Sequence, residues 1–433
     1  MKNQFIQYMY SYPHKTAYDL VEKLELSPDL RDFNKKEITL YMHLPFCDSK
    51  CAYCNLFSVP LGGDHLVDDY VAAIQRQNQQ YQDYFKLKEV ACSTLVLGGG
   101  TPTFLSIDQL ERLFQIAERD YAFDLDKGFS IIETSPNQTT EEKLAYLESK
   151  KIKRISIGVQ SFVQSELNTL GRHHSAVMAE KALKTIRQFD FPILNIDLIY
   201  GIPGQTMETL IYSAFRAIKY QPEEIFVYPL YAQTNTRMGK AYTIDEPEQA
   251  RLYEGLKSYL EANGYHALSM RRFAKARPDK LGSCGFETTL ALGCGGRSYI
   301  ENIHFCEPYT AEPKACLAAL KEFIGKEDFL TQLAYYQLDE EEMKRRYVIK
   351  NLLNGQGIDL ADYRGYFSDN IFESFPQILE FQKKNWLQVS EENIQMTALG
   401  FVWSDYMGPS FISDKVKRKM GDYSGKPNET HLF

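Results

Sequence analysis

ITLYMHLPFCDSKCAYC, residues 38–54, joins an apolar run to three cysteines. Residues 38–44 are rich in β-branched, aromatic and long apolar side chains and read as a strand. Cys47, Cys51 and Cys54 follow at once, with three and then two residues between them, and Asn55, Leu56 and Phe57 supply no fourth cysteine. Three thiolates can hold three irons of a cubane [4Fe–4S] cluster and leave the fourth iron open to a non-protein ligand, and soft thiolate ligands favour such clusters. The alternatives are a zinc site, which asks for a fourth ligand, or thiols with no shared role. His43 is the nearest candidate for that ligand, but it lies within the predicted strand. Cys92, Cys284, Cys294, Cys306 and Cys316 are scattered and read as small core residues or incidental thiols.

Outward from this stretch, strand-like and helix-like segments alternate. Strands are expected at 38–44, 93–100, 129–134, 154–160, 193–201 and 224–230. Helices are expected near 66–86, 106–118, 140–150, 177–188, 206–219 and 247–263. Near-continuous apolar strands separated by amphipathic helices imply a parallel sheet covered by helices. Six such units predict a partial (β/α)6 TIM-like barrel, three-quarters of the eight-unit form, with a doubly wound sheet as the competitor. After about residue 330 the texture changes, and LDEEEMKRRYVIKNLL, SFPQILEFQKKNW and TALGFVWSDYMG read as helices of a smaller, mainly helical C-terminal domain. The expected organisation is an N-terminal extension packed on the barrel (1–37), the barrel (38–265), a post-barrel glycine-rich segment (266–330) and the C-terminal domain (331–433).

The chain has 433 residues, 44% of them hydrophobic, enough for one large domain and an appendage. A formal net charge of −8 argues against a general nucleic-acid binder, which needs clustered Lys and Arg. No apolar run approaches the ~20 residues of a membrane span. The opening MKNQFIQYMYSYPHK has no apolar h-region, so the expected compartment is the cytoplasm, where clustered cysteines hold metal or do redox chemistry more often than they form disulfides.

In a parallel barrel the C-terminal ends of the strands carry the chemistry. Cys47, Cys51 and Cys54 follow the first strand, and Gly98, Gly99, Gly100 and Thr101 end the second. Glu133 ends the third and Gln160 the fourth. Arg172 lies in the loop that follows, and Asp197 sits within apolar ILNIDLIYG, where a carboxylate is costly unless partnered. An arginine for a carboxylate, acids for ammonium or ribose hydroxyls, and an amide for either suit a zwitterionic, ribose-bearing ligand. The alternative for each is an internal salt bridge or a strand-end cap.

YMHLPFCDSKCAYC resembles the signature of radical S-adenosylmethionine (SAM) enzymes, in particular the branch of the oxygen-independent coproporphyrinogen III oxidases and related haem chaperones. LGGGTPTFL, ETSPNQ, RISIGVQSF, LGRHHS and NIDLIYGIPGQT occur in that branch's order and at similar intervals. The resemblance is strong over roughly 38–230 and weak in the C-terminal domain. It implies a [4Fe–4S] cluster on Cys47, Cys51 and Cys54, and SAM contacts at Tyr41, Gly99, Gly100, Thr101, Glu133, Gln160, Arg172 and Asp197. It implies reductive cleavage of SAM to a 5′-deoxyadenosyl radical that takes hydrogen from a substrate, fed by an electron donor such as flavodoxin or ferredoxin. A small-molecule, tetrapyrrole or peptide substrate is implied, with no nucleic-acid partner. Two other readings belong to the same branch: a haem-binding or haem-delivery chaperone, and a methyltransferase using a second SAM. Leu56 stands where some oxidases of the branch carry a further cysteine, which points away from the housekeeping porphyrinogen oxidase. GSCGFETTLAL replaces the His-Asn-containing stretch usual in the chaperones, and LALGCGGRSYI (290–300) resembles a glycine-rich segment that flanks the substrate side.

Overall fold

The computed structural model describes residues 9, 11–31, 37–60, 65–87, 90–231, 236–243, 245–276, 288–353 and 355–421. Cys284 and most of GSCGFETTLAL lie outside them. Among the described residues the main sheet has thirteen strands. In chain order they are β1 (Asp19–Lys23), β2 (Ile38–Leu44), β3 (Cys92–Gly99), β4 (Phe129–Thr134), β5 (Arg154–Gln160), β6 (Ile193–Tyr200) and β7 (Glu224–Pro229). β8 (His266–Ala267), β9 (Arg272–Ala274), β10 (Thr288–Leu292), β11 (Arg297–Ile300), β12 (Ile303–Cys306) and β13 (Thr331–Gln337) follow. Their spatial order is β1-β13-β12-β11-β10-β2-β3-β4-β5-β6-β7-β9-β8.

β2 to β7 run parallel in sequence order, each leading into a covering helix. These are α1 (His65–Phe85), α2 (Ile107–Asp120), α3 (Glu141–Ser149), α4 (Ala176–Ile186), α5 (Met207–Ile218) and α6 (Glu246–Ala262). The helix starts follow local chemistry. Ser106 and Gln109 form a capping box on α2, Thr206 and Thr209 another on α5, and Ser175 caps α4. The six βα units of the expected partial barrel are present.

The sheet extends further than the sequence pattern indicated. β10 runs parallel to β2 on its open side, with Thr288 opposite Ile38 and Leu292 opposite Met42. β11, β12, β13 and β1 then continue it antiparallel. Residues 331–337, expected in the C-terminal domain, therefore belong to the main sheet, and the C-terminal helices begin at Glu340. The N-terminal extension pairs with the sheet through β1 and also sends Met9, Tyr12, Ala17 and Tyr18 into the C-terminal core. That core is mainly helical, with a small antiparallel sheet of Ile358–Asp359, Asn393–Met396 and Leu387–Val389. Short strands of two to four residues carry too little periodicity to be read from sequence. Trp386 stacks on Trp403, centroids 4.8 Å apart, and Trp403 packs on the barrel core as well. Among the described residues no helix is long and apolar enough to cross a membrane.

Candidate active site

β2 delivers the three cysteines to the rim formed by the C-terminal ends of the parallel strands. All three thiols are half-buried. Thr101 Oγ1 donates toward Cys47 Sγ at 3.7 Å, Arg172 Nη1 toward Cys51 Sγ at 3.3 Å, and Cys54 Sγ lies 3.9 Å from Ser58 Oγ. Burial, with the neighbouring thiols adding to it, pushes Cys47 up to about 12, and burial and Cys51 also raise Cys54. Among the described residues no three His, Cys, Asp or Glu side chains converge on a point as a single metal ion requires. A cube is held differently, each thiolate on its own iron, so three half-buried thiols on one short loop fit its donor set. His43 is not a further ligand in this arrangement. Its Nε2 lies 2.9 Å from Phe57 O and its Nδ1 3.0 Å from Tyr41 OH, and burial keeps the ring neutral, pulling it down to about 4.

The loop after β3 lies against the end of β2. Gly100 N donates to Leu44 O and Thr101 N to Phe46 O. A Cβ on Gly100 would stand 2.6 Å from Phe46 O, so only glycine allows this approach. Gly99 N donates to Glu133 Oε2 at 3.0 Å, which ties the β3 turn to the end of β4. Burial pushes Glu133 up to about 7; the Gly99 bond opposes the shift and nearby Asp197 adds to it. Burial likewise pushes Asp197 up to about 6, against the Asn195 amide, which donates to Oδ1 at 2.8 Å, and against Arg154 and Arg172. Asn195 and Asp197 are two apart on β6 and so face the same way, into the barrel.

β5 carries a register shift between Gly158 and Gln160, and Gln160 has φ +72°. Such irregularities re-aim side chains. The Gln160 amide folds back over Gly158, where a Cβ would stand 2.9 Å from Nε2. Arg172 also donates to Gly158 O through Nη2. Its buried Nε has no hydrogen-bond partner among the described residues, as expected of an arginine turned toward an anionic ligand.

Tyr41, Gly99, Gly100, Thr101, Glu133, Gln160, Arg172 and Asp197 thus gather around the strand ends that carry the cysteine loop. Sequence reasoning missed Asn195, Gly158 and Lys50, whose ammonium enters the loop's own hydrogen bonding. Two adjacent histidines follow Arg172, and neighbours in a chain point apart. His174 is buried with Nε2 3.1 Å from Val159 O, and His173 is exposed. His14 and Tyr18, in the N-terminal stretch SYPHKTAY, are buried, with Tyr18 OH 3.1 Å from His304 Nδ1. The glycine-rich Gly293–Gly296 turn does reach the rim: a Cβ on Gly296 would stand 3.4 Å from the Tyr41 ring, and one on Gly295 2.7 Å from His43.

Residues 41–216 match the radical SAM superfamily, and residues 338–403 match the HemN C-terminal domain. Both matches lie in one chain, the first over the parallel strands and their helices and the second over the C-terminal helices. The relatives it is similar to include oxygen-independent coproporphyrinogen III oxidases and heme chaperones. It is 25% identical over 384 residues to the heme chaperone HemW of Bacillus subtilis, covering 86% of this chain and 99% of the relative. It is 28% identical over 429 residues to the oxygen-independent coproporphyrinogen III oxidase of Escherichia coli, covering 91% of each. The solved structure of coproporphyrinogen III oxidase (HemN) from Escherichia coli superposes with a TM-score of 0.78 at 23% identity, over 93% of this chain and 96% of that one. The last likeness establishes a shared fold. The cofactors of the superfamily are a [4Fe–4S] cluster and SAM.

Proposed function

We propose that this chain is a radical SAM enzyme in which Cys47, Cys51 and Cys54 hold the [4Fe–4S] cluster and Tyr41, Gly99, Gly100, Thr101, Glu133, Gln160, Arg172 and Asp197 receive SAM. The observation that carries this reading is Arg172, which reaches Cys51 through one nitrogen and leaves a buried Nε unpartnered beside it. When bound, the two cofactors supply one-electron chemistry at a C–H bond that acids and bases do not activate. The protein's part is to orient and to exclude water. Arg172 faces the ligand carboxylate, Glu133 and Asp197 its ammonium and ribose hydroxyls, and Gln160 either group. The close-packed backbone at Gly99 and Gly100 puts no side chain in the way. An electron donor of the flavodoxin or ferredoxin kind, a substrate of small-molecule, tetrapyrrole or peptide type and a cytoplasmic setting complete the reading.

The substrate differs from that of the housekeeping oxidase. Leu56, 48% exposed, stands where some oxidases of the branch carry a cysteine, and a pocket built for another molecule rejects the wrong one by leaving polar groups unpaired. Similarity to a heme chaperone favours a second reading, in which the site binds haem for delivery. Anaerobic reconstitution with iron and sulfide tests both. Expected are about four irons per chain, slow 5′-deoxyadenosine release under strong reductant, and no protoporphyrinogen from coproporphyrinogen III. Cys47→Ala, Cys51→Ala or Cys54→Ala should strip the iron, and Cys294→Ala or Cys306→Ala should leave it. Stoichiometric protoporphyrinogen would overturn the substrate reading. Tight haem binding with no SAM cleavage would replace the enzyme by the chaperone.

A further inference from the structure

The loop that carries the cysteines is organised around one cation. Lys50 lies directly before Cys51, and its ammonium donates to Ala311 O at 2.9 Å, Leu56 O at 3.0 Å and Ser58 O at 3.4 Å. A lysine has three N–H donors, so each has an acceptor. Two of those acceptors belong to the chain immediately after Cys54, which therefore wraps back over the ammonium. The third lies 261 residues away, in the segment after β12. That segment grips the loop a second time, through Tyr309 OH donating to Asn55 O at 2.9 Å. Lys15 sits over the Tyr309 ring from outside, and Phe57 packs beside it, centroids 6.2 Å apart.

All three partners of Lys50 are neutral carbonyls. Among the described residues no carboxylate forms an ion pair with it. The half-buried ammonium acts at a distance on the Glu312 carboxylate, next to Ala311, and on the Cys54 thiol, and the large negative charge that the proposed function adds beside it is the cluster with its thiolates. A positive charge beside an anionic centre favours the state with one more electron. Net charge and hydrogen bonding around the ligands are the levers by which a protein sets such a potential.

We propose that Lys50 is a positioning residue for the cluster loop and raises the reduction potential of the cluster held there. It fixes the turn from Cys51 past Cys54 by gathering the 56 and 58 carbonyls, couples that turn to the post-barrel segment at Ala311, and stabilises the reduced cluster through its charge. No bond is made or broken by it. The inference rests on the cluster reading of Cys47, Cys51 and Cys54, and its test separates the two.

The test uses the full chain, reconstituted anaerobically with iron and sulfide and titrated without SAM, as wild type, Lys50→Met and Lys50→Arg. Methionine keeps the apolar stem and removes the charge and the donors; arginine keeps both. At a fixed potential the ratio of reduced to oxidised cluster should fall about tenfold in Lys50→Met, a midpoint about 59 mV more negative for one electron. Lys50→Arg should stay close to wild type. Loss of iron from Lys50→Met, with an unchanged melting temperature of the apoprotein and rescue by arginine, also supports the positioning role. An intact cluster with an unshifted midpoint in Lys50→Met overturns the proposal. So does iron loss in both variants accompanied by a lower apoprotein melting temperature, which makes Lys50 a residue of the fold. A wild-type chain that takes up no iron removes the cluster reading itself, and the inference falls with it.

Discussion

Glu133 and Asp197 are two carboxylates inside an apolar barrel, and burial raises both, to about 7 and about 6. Between its unfolded value and its folded one, each binds more protons in the native state than in the unfolded state. Stability therefore falls as pH rises through that window. For Glu133 the window runs from the usual glutamate range to about 7. Glu133→Gln apoprotein should gain on wild type as pH rises from 5 to 7.5, measured by denaturant unfolding at each pH; parallel curves would place the carboxyl in water. The same destabilising charge is what a bound ammonium or ribose would relieve. Loss of a charge-assisted contact costs ~1.5–3 kcal/mol, about tenfold to over a hundredfold in affinity. Glu133→Ala and Arg172→Ala should weaken SAM binding by that much, read by equilibrium dialysis against the reconstituted protein. Unchanged affinity together with a large loss of stability would make the two residues internal supports instead.

At the scale of elements, the site depends on how closely strand ends and turns approach. Gly99 ends β3 at φ +118°, in the region that favours glycine, and a Cβ there would stand 2.7 Å from the His43 ring. His43 in turn bridges Tyr41 to Phe57 at the end of the cysteine loop. Gly99→Ala therefore meets both backbone strain of ~1–3 kcal/mol and a ring that is itself bonded on both sides. Urea unfolding should show a loss of at least about 1 kcal/mol. Iron content after reconstitution should drop with it, because the displaced histidine supports the loop. Gly204 also has a positive φ, but nothing lies within 4 Å of its Cβ position. Gly204→Ala should cost strain alone and leave the iron in place, which separates the two effects.

Across the whole molecule, the barrel and the C-terminal helices are joined by a buried charge. Arg271, in the turn before β9, donates to Asp405 Oδ1 at 2.7 Å, and Tyr231, just past β7, donates to the same carboxylate. The two charged side chains are 5% and 2% exposed. Removing one partner of a buried pair leaves the other charge without compensation, at ~3–5 kcal/mol, whereas an apolar replacement of both is often near neutral. Asp405→Asn should lower the urea midpoint and open the 340–421 region to limited proteolysis. Arg271→Met with Asp405→Leu should recover most of that loss. Equal destabilisation by the single and double variants would mean that packing, not charge, joins the two parts.

The sequence by itself determined the six βα units and the order of the site residues. Each parallel strand is six to eight residues long and rich in apolar side chains, α2 to α6 each start at a capping side chain, and three thiols at short spacing are chemistry written in one dimension. Strand boundaries at 38–44, 129–134 and 154–160 match because alternation of burial along a chain is a local property. What only the tertiary structure decided are the contacts between groups far apart in the chain. β10 lies beside β2 across about 250 residues of sequence, Lys50 reaches Ala311, and Arg271 reaches Asp405. A hydrogen bond to a distant carbonyl leaves no period, spacing or composition behind it. Lysine before a cysteine reads the same whether it is solvated or pinned, and only the folded chain brings the three carbonyls to it.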